Sequence, residues 1–327
     1  MDKGALPLDD ILQAADRIKD HAVKTPVLTS ALLSEVAGGP VFVKPENFQY
    51  SGSFKFRGAF NRLVQLTEDE RQKGVVAWSS GNHAQGVAAA AKLLSMPATI
   101  VMPKDAPKVK VARTEAYGAK VVPYDRYTES REDIARGLSQ QHQMTLVPSY
   151  DDPHIMRGQG TAGLELFGQV EERGAALDLV LCCCGGGGLI AGISSVFNAL
   201  SPKTEIYSVE PSEFNDHERS LVSGQRETVD PNARSICDAL LAPTPGEMTF
   251  AVNQHTLSGG LSVTDDEVRD AMRFAYRELK LVIEPGGAVA LAALLAKKIE
   301  TKGKSVGIII SGGNVDAEMF AEIITAS

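Results

Sequence analysis

Residues 177–188 read Leu177-Asp178-Leu179-Val180-Leu181-Cys182-Cys183-Cys184-Gly185-Gly186-Gly187-Gly188, and an apolar helical pattern, Leu189–Ala199, follows at once. A short apolar run bounded by glycines reads as a buried strand, so the chain passes from strand to helix through four glycines. Glycines at such a junction let successive backbone amides close on a phosphate without obstruction by a Cβ. No Lys-Ser/Thr pair follows, so the turn is not a nucleotide P-loop. It does satisfy the dinucleotide pattern Gly186-x-Gly188-x-x-Ala191, with the acidic Glu210 about 20 residues further on. A nicotinamide-dependent oxidoreductase therefore stands as a rival reading. Alternate side chains on a strand point to opposite faces, so Cys182, Cys183 and Cys184 cannot converge on one tetrahedral metal. They read as small apolar fillers in a reducing compartment, and Cys237 has no spacing signature.

The same alternation extends in both directions. Strand-like runs are Val41–Lys44, Gly74–Trp78, Ala98–Met102, Lys120–Val122, Glu205–Val209 and Ser305–Ile310. Helical patterns are Ala84–Leu94, Lys108–Tyr117, Ser130–Gln141, Asp265–Leu279 and Ala288–Lys298. Strands alternating with helices predict an α/β fold with a mainly parallel sheet and helices on both faces. Pro103, Pro107, Pro148 and Pro153 fall in the connections, as helix and strand breakers should. Ligands of such sheets bind beyond the carboxyl ends of the strands. Two more turns there carry polar chemistry. Ser79-Ser80-Gly81-Asn82-His83 opens a helix after the strand ending at Trp78, and its amides suit a substrate carboxylate. Ser311-Gly312-Gly313-Asn314 follows the strand Ser305–Ile310, and Ser311 offers a neutral hydroxyl donor.

Lys55 stands in Ser51-Gly52-Ser53-Phe54-Lys55-Phe56-Arg57-Gly58, where turn residues lead into a helical run. A Ser/Gly opening supplies an N-cap and places Lys55 in the first turn. The positive end of the helix dipole disfavours an ammonium there. It favours the neutral amine that attacks a carbonyl to form a Schiff base.

The 327 residues, 43% hydrophobic and 23% charged, are ordinary for a globular protein of two lobes. A net charge of −8 argues against nucleic acid and anionic membranes as partners. Met1-Asp2-Lys3-Gly4 opens no signal-peptide pattern, and no apolar run reaches membrane-spanning length, so a cytoplasmic protein is expected.

Taken together, these segments resemble the fold-type II pyridoxal-phosphate enzymes, in particular the threonine/serine dehydratases (ammonia-lyases) and serine racemases. The matching text is Ser51–Gly58, Ser79–Gln85, Gly158-Gln159-Gly160-Thr161, Gly185–Gly188, Glu284-Pro285 and Ser311–Asn314, in the family's order and across nearly the whole chain. The resemblance implies that Lys55 binds the cofactor as a Schiff base and later takes the Cα proton. Gly185, Gly186, Gly187 and Gly188, with the Leu189 amide, would hold the phosphate. Ser311 would meet the pyridine nitrogen and Asn82 the phenolic oxygen, with Phe54 and the backbone near Ala239 on the two ring faces. Glu284 would sit near the ring and the lysine. Ser79, Ser80, Gly81, Asn82 and His83 would surround the substrate carboxylate, with Arg131 nearby. Ser80 stands where racemases carry a serine on the ring face opposite the lysine, which implies racemisation of serine as a side activity.

A neutral hydroxyl beside the pyridine nitrogen favours the unprotonated ring, and prompt loss of a β-hydroxyl is then the natural outcome. The implied reaction is dehydration and deamination of L-threonine or L-serine to a 2-oxo acid and ammonia. Within the same chemistry, 3-hydroxyaspartate dehydratase and serine racemase are the alternatives; a non-catalytic carrier of the cofactor is the remaining one. Glu210-Pro211-Ser212-Glu213-Phe214-Asn215-Asp216 resembles the family's cation loop, so Glu210, Asp216 and the Phe214 carbonyl would hold Mg²⁺ or Ca²⁺. Arg157, where relatives carry a small residue, either pairs a second substrate carboxylate or faces solvent. Ser235–Leu241 is more apolar than the family's usual segment, which implies a changed pocket wall. The expected division is a large cofactor-binding domain of residues 1–65 and 151–327, a small inserted domain of 66–150, and no C-terminal regulatory domain. A homodimer or other homo-oligomer is expected.

Overall fold

A computed structural model of the chain describes residues 4–106 and 108–326. The expectations placed on Met1–Lys3 and on Pro107 lie outside the described residues. The strands are β1 (Leu28–Thr29), β2 (Val41–Pro45), β3 (Val75–Trp78), β4 (Ala98–Pro103), β5 (Lys120–Tyr124), β6 (Thr145–Leu146), β7 (Leu179–Cys183), β8 (Glu205–Pro211), β9 (Gly259–Val263) and β10 (Val306–Ile310). They form two sheets, ordered β1-β2-β10-β7-β8-β9 and β5-β4-β3-β6. Every pairing is parallel except the short β1 against β2.

The central strands are continuous apolar runs because both faces are covered. β2, β7 and β10 are buried at every position, as helix-sandwiched parallel strands must be. Register brings Ile308 beside Val43 on one side and Leu181 on the other. Helices Gly188–Leu200 and Pro285–Leu295 pack in the large-sheet core, with Ile193, Val289 and Leu291 fully buried. Among the described residues no helix is long and apolar enough to cross a membrane.

Departures from the sequence reading have local causes. β7 starts at Leu179 because the Asp178 carboxylate turns aside to accept from the Ser305 amide at 2.8 Å. Gly74 is not in β3; at φ +82° it ends the helix Glu68–Lys73. β9 opens on Gly259-Gly260, a pair with no strand propensity, and was not foreseen. The 265–279 pattern divides into an α-helix, Asp265–Phe274, and a π-helical turn, Ala275–Leu279.

Helix Lys55–Leu63 starts without the expected serine cap. Its N-cap is Phe54, no side chain caps it, and the hydroxyls of Ser51 and Ser53 are buried with no hydrogen-bond partner. The helix is fixed instead by Arg57. Its guanidinium lies fully buried between Glu46 (2.7 and 2.8 Å) and Glu165 (2.7 and 2.9 Å). Lys44 Nζ joins the cluster at 2.6 Å from Glu165.

Candidate active site

The carboxyl ends of β3 and β7 and the turn after β10 line one cleft of about 590 Å³. Phe54, Lys55, Ser79, Ser80, Gly81, Asn82, His83, Arg131, Gly185–Leu189, Glu284 and Ser311 all border it, so the cleft brings together residues read from six separate segments.

Lys55 is the first residue of its helix, and its Nζ donates to the Ser149 carbonyl at 2.7 Å. The amine lies 5.1 Å from the centre of the Phe54 ring. Burial pushes its pKa down to about 8, against the opposing pull of Cys183 and Glu284. No carboxylate pairs with it among the described residues. The same helix therefore offers a cation that sheds its proton readily.

The glycine turn is shaped by its neighbours. A Cβ at Gly186 would lie 2.3 Å from the Tyr150 ring, and Gly187 sits at φ +93° over the His217 ring. Thr249 Oγ1 donates to the Gly186 carbonyl at 2.6 Å and holds it turned back. Gly188 opens the helix Gly188–Leu200, whose first-turn amides have no partner within the helix. The cradle thus presents amides and a helix dipole and carries no cationic side chain of its own.

Asn82 is held at both ends. Its Nδ2 donates to Glu284 Oε1 at 2.6 Å, and its Oδ1 accepts from Asn314 Nδ2 at 2.8 Å. One Nδ2 hydrogen remains for the cleft. Burial raises Glu284 to about 7. His83 is committed through Nε2 to the Val147 carbonyl at 2.9 Å, and burial followed by the Lys55 charge lowers it to about 3. It is a neutral imidazole, so any carboxylate held here relies on amides. Ser79 Oγ accepts from the Gly81 amide, and Ser80 borders the cleft beside it. Arg131 opens helix Arg131–His142 on the rim, 3.0 Å from Glu132. Lys110 and Asp238 form an ion pair at the cleft edge.

A family profile described as "Pyridoxal-phosphate dependent enzyme" matches residues 18–312. The chain belongs to the pyridoxal-phosphate-dependent enzymes. The L-threo-3-hydroxyaspartate ammonia-lyase of a Pseudomonas species is 48% identical over 96% of this chain and 97% of its own. The serine racemase of Schizosaccharomyces pombe is 44% identical over 97% of each chain. Among solved structures, the serine racemase of Dictyostelium discoideum superposes with a TM-score of 0.89 at 40% identity, covering 95% of this chain and 99% of the other. This pyridoxal-phosphate enzyme has the fold-type II architecture of those relatives, as the sequence implied.

The residues present fit the cofactor. A helix-terminal cradle open to an anion, a proton-shedding amine and the buried Ser311 hydroxyl border one cleft. No carboxylate follows β10 at the position of Ser311.

One reading changes. Arg157 pairs with Asp10 at 2.7 Å and does not border the cleft, so it is not placed to meet a second substrate carboxylate. The cysteine run is buried in the core as expected, and Cys183 and Cys184 also border the cleft. The expected cation loop keeps its two carboxylates buried together, but both Glu210 oxygens already accept amides, from His217 at 3.0 Å and Glu218 at 2.7 Å. Asp216 Oδ2 has no partner, and burial lifts Asp216 to about 7. The Phe214 side chain packs against Val229 and Ala233. Sequence reasoning missed Ser149, Thr249 and Asn253, whose contributions are a carbonyl or a hydrogen bond to one and carry no motif.

Proposed function

We propose that this enzyme dehydrates and deaminates a 3-hydroxy amino acid, L-threonine or L-serine in the first place, to a 2-oxo acid and ammonia. The observation that carries it is a proton-shedding Lys55 sharing a cleft with a glycine cradle and a neutral Ser311. Bound pyridoxal phosphate supplies an electron sink for the pair left at Cα. The amides from Gly185 to Leu189 grip the phosphate. Phe54 and the backbone at Ala239 flank the ring, Ser311 Oγ meets its nitrogen, and the free Asn82 Nδ2 hydrogen meets its phenolic oxygen. The turn 79–83 orients the substrate carboxylate through its amides, with Arg131 at the rim. Lys55 Nζ, in its deprotonated form, takes the Cα proton. Ser80 Oγ is our candidate to return a proton from the other side, which gives serine racemisation as a side activity.

We further propose that residues 1–65 with 151–327 work as one domain and 66–150 as a second, the Lys110–Asp238 pair closing the cleft against water. Glu210, Asp216 and the Phe214 carbonyl hold Mg²⁺ or Ca²⁺ away from the chemistry in this reading, which the unpartnered Asp216 oxygen supports. Cytoplasmic residence and a homo-oligomeric state complete it; four free, buried cysteines suit a reducing compartment.

A second reading makes L-threo-3-hydroxyaspartate the preferred substrate. Relatives at 48% and 45% identity bear that name, and the guanidinium-bearing Arg131, Arg136 and Arg226 border the cleft, where a second carboxylate would find a cation. Oxo-acid release is measured with serine, threonine and both 3-hydroxyaspartate diastereomers, with Lys55→Ala as control. Release from serine or threonine supports the first reading, and a ranking led by hydroxyaspartate supports the second. Silence with all four, in a protein whose visible band vanishes with borohydride, would leave a carrier and overturn both.

A further inference from the structure

Among the described residues, the lysines and arginines that border the cleft are Lys55, Lys110, Arg131, Arg136 and Arg226. Lys55 serves the chemistry. Lys110 pairs with Asp238, Arg131 with Glu132 at 3.0 Å and Arg136 with Asp133 at 3.8 Å. Arg226 differs. Its Nε donates to the Pro245 carbonyl at 2.9 Å, and among the described residues no carboxylate pairs with it. That bond fixes the stem and leaves both Nη groups free, the end of the fork that takes a carboxylate through two parallel bonds.

We propose that Arg226 binds the second carboxylate of a dicarboxylic amino acid and thereby sets the preference of this enzyme for 3-hydroxyaspartate over serine and threonine. The choice of substrate rests on the second reading above. The wall that carries the guanidinium is held firmly. Gly246, next to Pro245, donates its amide to the Gly186 carbonyl of the cradle at 3.3 Å. The Asp151 carboxylate accepts the following amides, from Glu247 at 3.1 Å, Met248 at 2.8 Å and Thr249 at 3.1 Å. Arg226 is therefore anchored to a fixed segment beside the cradle, although its side chain is exposed.

The two carboxylates of such a substrate would meet different parts of the fold. The turn 79–83, which takes the first, follows β3 of the four-stranded sheet, whereas the Arg226 wall is bonded to the turn after β7 of the six-stranded one. A dicarboxylic substrate bridges the two; serine and threonine have no second carboxylate and leave the fork to water. Lys110, Arg131 and Arg136 would each have to leave a carboxylate first, and Arg226 has none to leave.

The test uses the pyridoxal-phosphate-loaded protein and two pairs of ligands. L-threo-3-hydroxyaspartate and L-serine are compared by KM for oxo-acid release, and L-aspartate and L-alanine by titration of the visible band. The second pair has no hydroxyl to lose, so it reads binding even where turnover is absent. Arg226→Gln keeps an N–H for the Pro245 carbonyl and removes the charge. It should raise the KM of hydroxyaspartate relative to serine, and the Kd of aspartate relative to alanine, by about 10–100-fold, the scale of a charge-assisted hydrogen bond. Arg226→Lys, which restores a charge without the fork, should recover part of the loss. A wild type that releases no oxo acid from hydroxyaspartate, with the aspartate ratio still lost in Arg226→Gln, retires the substrate reading and keeps the carboxylate subsite. A wild type that binds aspartate no better than alanine, or ratios unmoved by Arg226→Gln, overturns the subsite itself. So does a parallel loss of pyridoxal-phosphate affinity in fluorescence titration of the cofactor-free variant, which would make Arg226 a partner of the cofactor phosphate.

Discussion

Lys55 and Arg57 are two residues apart on one helix, both within its first turn, where the dipole opposes positive charge. Their surroundings differ completely. Arg57 meets two carboxylates through four contacts of 2.9 Å or less, with the Thr161 hydroxyl at 3.2 Å, and its pKa is raised: burial alone would lower it, but Glu46 and Glu165 override. Lys55 meets one carbonyl and an aromatic ring, and burial lowers it to about 8. The same chain segment keeps one charge and sheds another. Arginine suits the first task because it does not deprotonate and forks between carboxylates; lysine suits the second because its pKa moves.

Removing each group should separate the two roles. Lys55→Ala should cut oxo-acid release by about 10⁴-fold or more, while the cofactor-free protein unfolds at the same or a higher denaturant concentration, an ill-solvated amine having been removed. A clear loss of stability in that variant would make Lys55 a structural residue and break the comparison. Arg57→Leu strands the buried Glu46 and Glu165 charges and should lower the unfolding free energy by about 3–5 kcal/mol. Guanidinium unfolding monitored by circular dichroism reads both variants. An Arg57→Leu loss below about 1 kcal/mol would mean the carboxylates protonate or rehydrate without consequence.

In the cofactor-free protein both groups should make stability rise with pH, but in different windows, Glu46 by a stabilisation gained and Lys55 by a penalty relieved. Glu46 is held below its ordinary value: burial pushes it up, but Arg57 outweighs burial. Its stabilisation is therefore present above the normal carboxylate pKa and is lost as acid protonates it. Lys55 has a folded pKa of about 8 against 10.5 unfolded. The unfolded chain binds more protons between those values, so the penalty present below pH 8 is relieved as pH rises toward 10.5. Stability measured from pH 7 to 10.5 should rise in wild type relative to Lys55→Met. Parallel curves would show that the amine is solvated as an ordinary lysine.

The Lys55 side of this contrast was legible in the sequence and the Arg57 side was not. Lys55, the tetraglycine turn and Ser311 announce themselves because each is a local pattern at a strand-to-helix or turn-to-helix boundary. The central strands were legible because burial on both faces leaves an unbroken apolar run. Glu46, Glu165 and Lys44 sit 11, 108 and 121 residues from their partners, and no spacing rule links them. The serine cap expected for the Lys55 helix failed for a related reason: Ser51 and Ser53 sit where the Phe54 amide is taken by the Ser311 carbonyl at 3.0 Å. Arg157 read as a candidate substrate partner only because Asp10, its real partner, lies 147 positions earlier.

The smallest expected effect concerns the soft side of the cleft. Asn314 Nδ2 donates to Asn82 Oδ1 and to the Ser51 carbonyl, each at 2.8 Å, and thereby fixes which end of the Asn82 amide faces Glu284. Without it the amide can turn over and present oxygen to a carboxyl that burial already keeps near half-protonated at about pH 7. Asn314→Ala should therefore weaken cofactor binding by about 1 kcal/mol, roughly fivefold, the scale of one hydrogen bond. Fluorescence titration of the cofactor-free variant with pyridoxal phosphate measures it. The unfolding midpoint should move far less than in Arg57→Leu, because Asn314 borders the open cleft whereas Arg57 is sealed in the core. Equal destabilisation by the two substitutions would mean that the cleft wall is as rigid as the ion cluster, and the amine would then owe its low pKa to a fixed cage and not to a poorly solvated, adaptable one.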